Sequence, residues 1–262
     1  MAETQGQFRF LKVYGERNTG TNFVEQLVLN NMPNLVALSR RPPLDLKTEP
    51  KKFPRSIRFI VQQRIADLRR RQEIKEHINW KHAYVIVDEQ RRFAHFDETF
   101  FIFIVRNPYY FISSLYRRAY DIIPKPARTK ARFLRQAILL NARDNINSTA
   151  TVSGPAELWS LKTQSYVKAA AEIENAVLIR YEDLVAAPDR FVVRLAEKGL
   201  ALPDDYEVPR QSTKGDRLTF DDYATKAKNY DPTHDFSKQL LKYIDEQLDQ
   251  RLLKDLGYER SR

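Results

Sequence analysis

Apolar residues crowd Phe8 to Tyr14 (FRFLKVY), a stretch that predicts a strand. A polar, glycine-bearing loop follows through Gly20, and Phe23, Leu27 and Val28 then recur at helical spacing, predicting a helix from Thr21 to Asn31. Pro42, Pro43, Pro50 and Pro54 break regular structure between Ser39 and Pro54, which reads as a surface excursion. Ile57, Ile60, Val61, Ile65 and Leu68 restore the helical period and predict a helix from Ser56 to His77. Thr99 to Val105 (TFFIFIV) is apolar without alternation, as a strand covered on both faces should be, and Arg106-Asn107-Pro108 leads into a predicted helix from Tyr109 to Tyr120. A helix over Pro155 to Ile173 precedes the short apolar strand Asn175 to Arg180, and Tyr181-Glu182-Asp183-Leu184 opens a further turn of helix. Leu202 to Pro232 lacks periodicity and reads as a long loop, while Asp235 to Leu256 reads as one amphipathic closing helix.

Strands alternating with helices predict an α/β fold on an open, mainly parallel sheet flanked by helices, with ligands beyond the carboxyl ends of the strands. The expectation is a single domain over 1–262, with 39–80 a helical insertion and 202–262 a C-terminal loop and helix.

Composition narrows the chemistry. The 262 residues include 44 Lys plus Arg against 34 Asp plus Glu, a formal charge of +10, and 42% are hydrophobic, enough for a sizeable core. Such a charge favours anionic partners without choosing among nucleic acid, membrane surface and phosphate-bearing small molecules. The absence of cysteine excludes disulfides, thiolate metal sites and a cysteine nucleophile. No apolar run approaches the roughly 20 residues that cross a bilayer, and MAETQGQFRF lacks a signal-peptide layout, so the expected location is the cytoplasm with no membrane span.

Two loops carry candidate chemistry. In Gly15-Glu16-Arg17-Asn18-Thr19-Gly20-Thr21-Asn22, between a strand and a helix, backbone amides and the helix N-terminus can cradle an anion. The plain alternative is a tight strand-to-helix turn with two convenient glycines. Nucleotide triphosphatases place Lys and then Ser or Thr after the second glycine, where this chain has Thr21 and Asn22, so an ordinary ATPase or kinase site is disfavoured. Glu16 either turns outward or pairs with Arg17. In the second loop Arg106 at a strand end and Ser114 on the following helix can grip another phosphate, although such a pair is common in α/β proteins.

The glycine loop, Arg106-Asn107-Pro108 with Ser114 eight residues after the arginine, and an apolar strand running into Tyr181-Glu182-Asp183-Leu184 occur in this order. Together they resemble the sulfotransferases that use 3′-phosphoadenosine-5′-phosphosulfate (PAPS). The phrase GERNTGTNF, with Trp80-Lys81-His82, looks closest to a bacterial-type branch, and the resemblance runs from Phe8 to about Leu200. It implies a P-loop-like sulfotransferase fold that uses PAPS as sulfuryl donor and releases adenosine 3′,5′-bisphosphate (PAP), with a hydroxyl or amine as acceptor and no metal.

The resemblance further implies that Arg17, Asn18, Thr19, Gly20, Thr21 and Asn22 hold the 5′-phosphosulfate and that Arg106 and Ser114 hold the 3′-phosphate. Lys214-Gly215 is a poorer match to an element completing that pocket. His82 falls close to where such enzymes place their general base, and a histidine suits that work at neutral pH. The usual lysine before the Ser/Thr-Gly pair is replaced by Asn18, leaving Arg17, Lys81 and Lys12, in that order, as candidates to reach the bridging oxygen. Among the other histidines, His77 sits at a helix end, and His95 and His234 read as surface residues. Glu182 and Asp183 read as complements to a helix dipole, and Trp159 and Tyr166 as core.

Arg55, Arg58, Arg64, Arg69, Arg70, Arg71 and Lys75 make the predicted 56–77 helix strongly basic. This is a solvated face or, alternatively, a border of the acceptor cleft that attracts an anionic substrate such as an acidic glycan. Two rival readings are an atypical P-loop kinase and a basic nucleic-acid-binding protein, the latter without any recognised module. The acceptor loops are expected over Ser39 to Pro54, Asp88 to Glu98 and Asp121 to Arg135.

Overall fold

The computed structural model describes residues 7–38, 61, 65, 68, 78–118, 127–140, 142–146, 151–210 and 219–261. In chain order the elements are β1 (Phe10–Gly15), α1 (Thr21–Asn31), β2 (Val36–Ala37), α2 (Val87–Arg91), β3 (Thr99–Val105), α3 (Pro108–Arg117), α4 (Lys130–Leu134) and β4 (Ile138–Leu139). A 3₁₀ turn (Ala142–Asp144), β5 (Thr151–Val152), α5 (Pro155–Glu172), β6 (Ala176–Arg180), α6 (Tyr181–Ala186) and α7 (Pro188–Glu197) follow. The chain closes with α8 (Phe220–Lys228), a 3₁₀ turn (Pro232–His234), α9 (Lys238–Gln247) and α10 (Gln250–Asp255).

Four strands form one parallel sheet in the order β2-β1-β3-β6, and β4 pairs with β5 in a separate antiparallel ribbon. The α/β architecture read from the sequence, an open parallel sheet flanked by helices, is the architecture observed. All seven residues of β3 are buried. Its alternate side chains divide between two cores, because successive residues of a strand point to opposite faces. Phe101, Phe103 and Val105 pack with Leu158, Trp159 and Tyr166 of α5. Phe100, Ile102 and Ile104 pack with Val24, Leu27 and Val28 of α1 and with Leu184 and Leu195 of α6 and α7. An unbroken apolar run was therefore the correct signature of a central parallel strand.

Several boundaries differ from expectation. On α1 the buried apolar face is Val24, Leu27 and Val28, while Phe23 is half-buried and stacks on Phe220 with ring centroids 5.2 Å apart. The helix after Asn107 ends at Arg117, not Tyr120. The stretch read as a loop over 202–232 contains α8, whose N-terminus is fixed by a capping box between Thr219 and Asp222. The single closing helix is two, since Leu248 leaves the helical conformation and Asp249 caps α10 through the backbone N–H of Leu252. Val61, Ile65 and Leu68 are helical, as their spacing predicts, and Leu68 is exposed. The remainder of the predicted 56–77 helix, with its arginines and His77, and the proline-rich 39–54 stretch lie outside the described residues.

Candidate functional site at the carboxyl ends of β1 and β3

From β1 the chain crosses to β2 on one side of the sheet, whereas β3 continues to β6 on the other. The connections therefore diverge between β1 and β3, and in an open parallel sheet the crevice at that switch point is where ligands bind. Both motif loops leave the sheet there, because Gly15 at the end of β1 lies beside Ile104 near the end of β3.

The glycines of the first loop answer steric demands. A Cβ on Gly15 would fall 2.5 Å from the side chain and 2.8 Å from the carbonyl oxygen of Ile104. Gly20 has φ 93°, and a Cβ there would meet the Tyr181 ring at 2.8 Å. Glu16 turns inward: its Oε1 accepts from the Arg17 backbone N–H at 2.7 Å and from Arg17 Nη1 at 2.8 Å. The carboxylate thus supports the loop from below. The first turn of α1 has no side-chain cap and no acidic residue, so its amides and its dipole face the crevice unopposed.

Residues 78–82 are bound to β1 as though they were a neighbouring strand. Ile78 and Asn79 have φ of 61° and 105°, conformations that cost energy in non-glycine residues. Two buried side chains of β1 capture their carbonyls, Tyr14 donating to Ile78 at 2.9 Å and Lys12 donating to Asn79. Lys12 also donates to the Leu38 carbonyl at 3.3 Å and is fully buried, which holds its ammonium beneath this segment. The Gly15 N–H then donates to Lys81 O at 3.0 Å, and His82 Nδ1 lies 2.5 Å from Gly15 O. A carbonyl can only accept, so Nδ1 carries the proton and the neutral ring keeps its lone pair on Nε2. Desolvation, followed by the nearby charges of Arg17 and Lys81, holds the His82 pKa well below the usual imidazole range. Lys81 Nζ donates to Asn22 Oδ1, which sets this cation at the N-terminus of α1.

Beneath the loop is a buried ionic group that sequence reasoning missed. Lys162 of α5 is fully buried and donates to Asp144 Oδ1 at 2.8 Å and to the His82 carbonyl, with Glu16 Oε2 3.5 Å away. Arg17 Nη1 is also 3.8 Å from Asp144, and burial and the two acids act oppositely on the guanidinium, with a net rise in its pKa. Glu16 and Asp144 thus match Arg17 and Lys162 charge for charge. A signal for Lys162 exists in the sequence, since it shares the face of Trp159 and Tyr166 at helical spacing, whereas Asp144 stands in no periodic context.

Arg106 closes the other side of the crevice. Its guanidinium carbon is 3.5 Å from the Tyr110 ring centroid and 4.3 Å from that of Tyr181, and Nη1 donates to the Asn18 carbonyl across the switch point. Asn18, at φ 65°, presents that carbonyl. Trp159 Nε1 donates to Arg106 O at 2.8 Å, and both Trp159 and Tyr166 are buried in the core. Glu182 is structural here: it accepts from the Asn107 N–H and from the Tyr258 hydroxyl, each at 2.9 Å, while Asp183 pairs with Arg180 at 2.6 Å. Burial raises the Glu182 carboxyl pKa.

The structure brings Arg17, Asn18, Thr19, Gly20, Thr21, Asn22, Lys81, His82 and Arg106 together at the carboxyl ends of the two inner strands, β1 and β3. Ser114 is on α3 one turn beyond Tyr110, half-buried, and its neighbour Ser113 donates to Asp235 at 2.5 Å. Lys214 and Gly215 lie outside the described residues. His95 is hydrogen-bonded to Glu98 at 3.0 Å, and His234 is exposed. The 88–98 stretch expected as an acceptor loop carries most of α2.

No model of a known protein family matches the chain, and no curated protein matches it. Among solved structures it is similar to a sulfotransferase domain from the curacin biosynthetic pathway, at TM-score 0.48 and 16% identity over 96% of this chain and 98% of that one.

Proposed function

We propose that the chain is a sulfotransferase that moves a sulfuryl group from PAPS to a hydroxyl or amine and releases PAP. The observation that carries the reading is one crevice, at the switch point of a parallel sheet, holding an uncapped helix N-terminus, a lysine at that terminus and a neutral histidine with Nε2 as acceptor. The loop lacks the lysine with which a triphosphatase grips a γ-phosphate, and sulfuryl transfer can proceed on cations and amides alone.

In this mechanism the acceptor hydroxyl gives its proton to His82 Nε2 as its oxygen bonds to sulfur. The bond between sulfur and the bridging oxygen breaks, and its electron pair stays on the 5′-phosphate of PAP. Charge growing on that oxygen meets the first amides of α1 and the Lys81 ammonium, a preorganised environment of the kind that lowers such barriers. We assign the bridging oxygen to Lys81, because Arg17 is committed to Glu16 and Asp144 beneath the loop. Arg106 and Ser114 take the 3′-phosphate.

Thermal shift against PAP, with and without magnesium, tests the reading. PAP should raise the melting temperature equally in both conditions, since a ligand that binds only the folded state stabilises it by mass action. Stabilisation by ATP that requires magnesium, with none by PAP, would replace it with the kinase reading.

A further inference from the structure

We propose that Tyr258, acting through Glu182 and Trp159, is a positioning residue that aims Arg106 and so sets the preference for a nucleotide bearing a 3′-phosphate; the inference rests on the transfer reading above. The peptide that joins Arg106 to Asn107 is held from both edges. Its carbonyl accepts from Trp159 Nε1 at 2.8 Å, and its N–H donates to Glu182 Oε1 at 2.9 Å. The two groups point to opposite sides of one rigid plane, so these contacts together stop it from turning. The Asn107 side chain also accepts from the N–H groups of Tyr109 and Tyr110 at 3.0 and 3.2 Å, which ties the plane to the first turn of α3. From that anchored backbone the guanidinium enters between the Tyr110 and Tyr181 rings. Arg106 Nε is buried without a partner, so the direction of the side chain comes from the rings and from the backbone beneath them.

Tyr258 touches both holders of the peptide. Its hydroxyl donates to Glu182 Oε2 at 2.9 Å, and its ring meets Trp159 edge to face with centroids 6.3 Å apart. Burial, followed by the Glu182 carboxylate, holds the phenol pKa well above its usual range and keeps the proton on this donor. The residue has a fixed seat of its own. After α10 the N–H of Gly257, at φ 67°, donates to Lys254 O at 3.0 Å and that of Tyr258 donates to Leu253 O at 2.9 Å, the paired bonds of a Schellman cap. Arg180 Nη1 donates to the carbonyls of Leu256 and Gly257 at 3.0 and 3.2 Å. The end of β6 therefore locks this cap to the turn that carries Glu182.

Tyr258→Phe keeps the ring against Trp159 and removes the hydroxyl. Calorimetry should show the preference for PAP over AMP falling about fivefold, the scale of one hydrogen bond. A purely structural role would lower the melting temperature and leave that preference alone, and an unchanged preference overturns the proposal. In an Arg106→Ala background the same substitution should leave PAP affinity within about twofold, because its route of action is gone. An equal loss in both backgrounds also overturns it.

The Arg106 Nε–H resonance, identified by its absence in Arg106→Ala, reads the aim without ligand. In Tyr258→Phe it should move and exchange with solvent about tenfold faster, as expected when a local restraint is released. An unmoved resonance with wild-type exchange overturns the proposal. Absence of PAP binding would sink the transfer reading while leaving this resonance to judge Tyr258.

Discussion

His82 is the residue whose chemistry is most exposed to measurement. Because its folded pKa is depressed, chiefly by desolvation, the folded protein resists taking a proton that the unfolded chain takes near pH 6.5. Below that value the unfolded state binds more protons, so stability falls as pH falls and is free of this penalty above it. The same depression keeps Nε2 available as a base, so the acid limb of the turnover profile should lie below pH 6.5. In Lys81→Met the limb should move upward, because one of the charges opposing protonation is gone; a pH–rate series on both proteins checks this. On the proposed mechanism, in which the imidazole takes the acceptor's proton, His82→Ala should abolish transfer while leaving the calorimetric affinity for PAP within about twofold. Gly20→Ala forces a side chain into a left-handed backbone and onto Tyr181, so it should cost about 1–2 kcal/mol or more, read as a lower melting temperature, and should weaken PAP binding.

At the scale of elements, the two loops are one device, since Arg106 from the end of β3 holds the Asn18 carbonyl of the loop after β1. Arg106→Ala should therefore weaken AMP, which lacks the 3′-phosphate, by several-fold, and PAP by about tenfold beyond that. A calorimetric loss confined to PAP would show that the Asn18 contact contributes nothing to the loop. Much of this level was legible in the sequence. The run at 99–105 and the spacing over 155–172 and 21–31 specify their elements, because burial on two faces or one leaves a direct imprint on residue type. What escaped reading depends on partners distant in sequence. Val36 and Ala37 become a strand only by pairing with Phe10 and Leu11. The break at Leu248 shows no proline or glycine, and α8 has too few buried residues for a clear period, Ala227 being the only fully buried one. In the site, the glycine loop and Trp80-Lys81-His82 were visible as motifs. Of the two settings the sequence left open for Glu16 the structure shows the pairing with Arg17, while the roles of Asp144 and Lys162 were not visible, because they arise from tertiary neighbours.

For the whole molecule, the ionic group of Glu16, Arg17, Asp144 and Lys162 joins the loop after β1, the 142–144 turn and α5 at one buried point. Removing one member strands a charge: Lys162→Met should destabilise the fold by about 3–5 kcal/mol, whereas Lys162→Met combined with Asp144→Asn should recover a large part of it. Denaturant unfolding of the two variants gives the comparison. The way 78–82 hangs from β1 carries one more implication. Lys12 and Tyr14, two apart, reach the same side of the sheet, while Leu11 and Val13 fill the other core. A single residue inserted or deleted within Phe10–Gly15 would exchange those roles, sending an ammonium and a phenol into the apolar layer and casting His82 adrift from its carbonyl. On the proposed reading the count of residues in that strand matters to transfer as much as the histidine does, and length variation in descendants of this chain should be found anywhere but there.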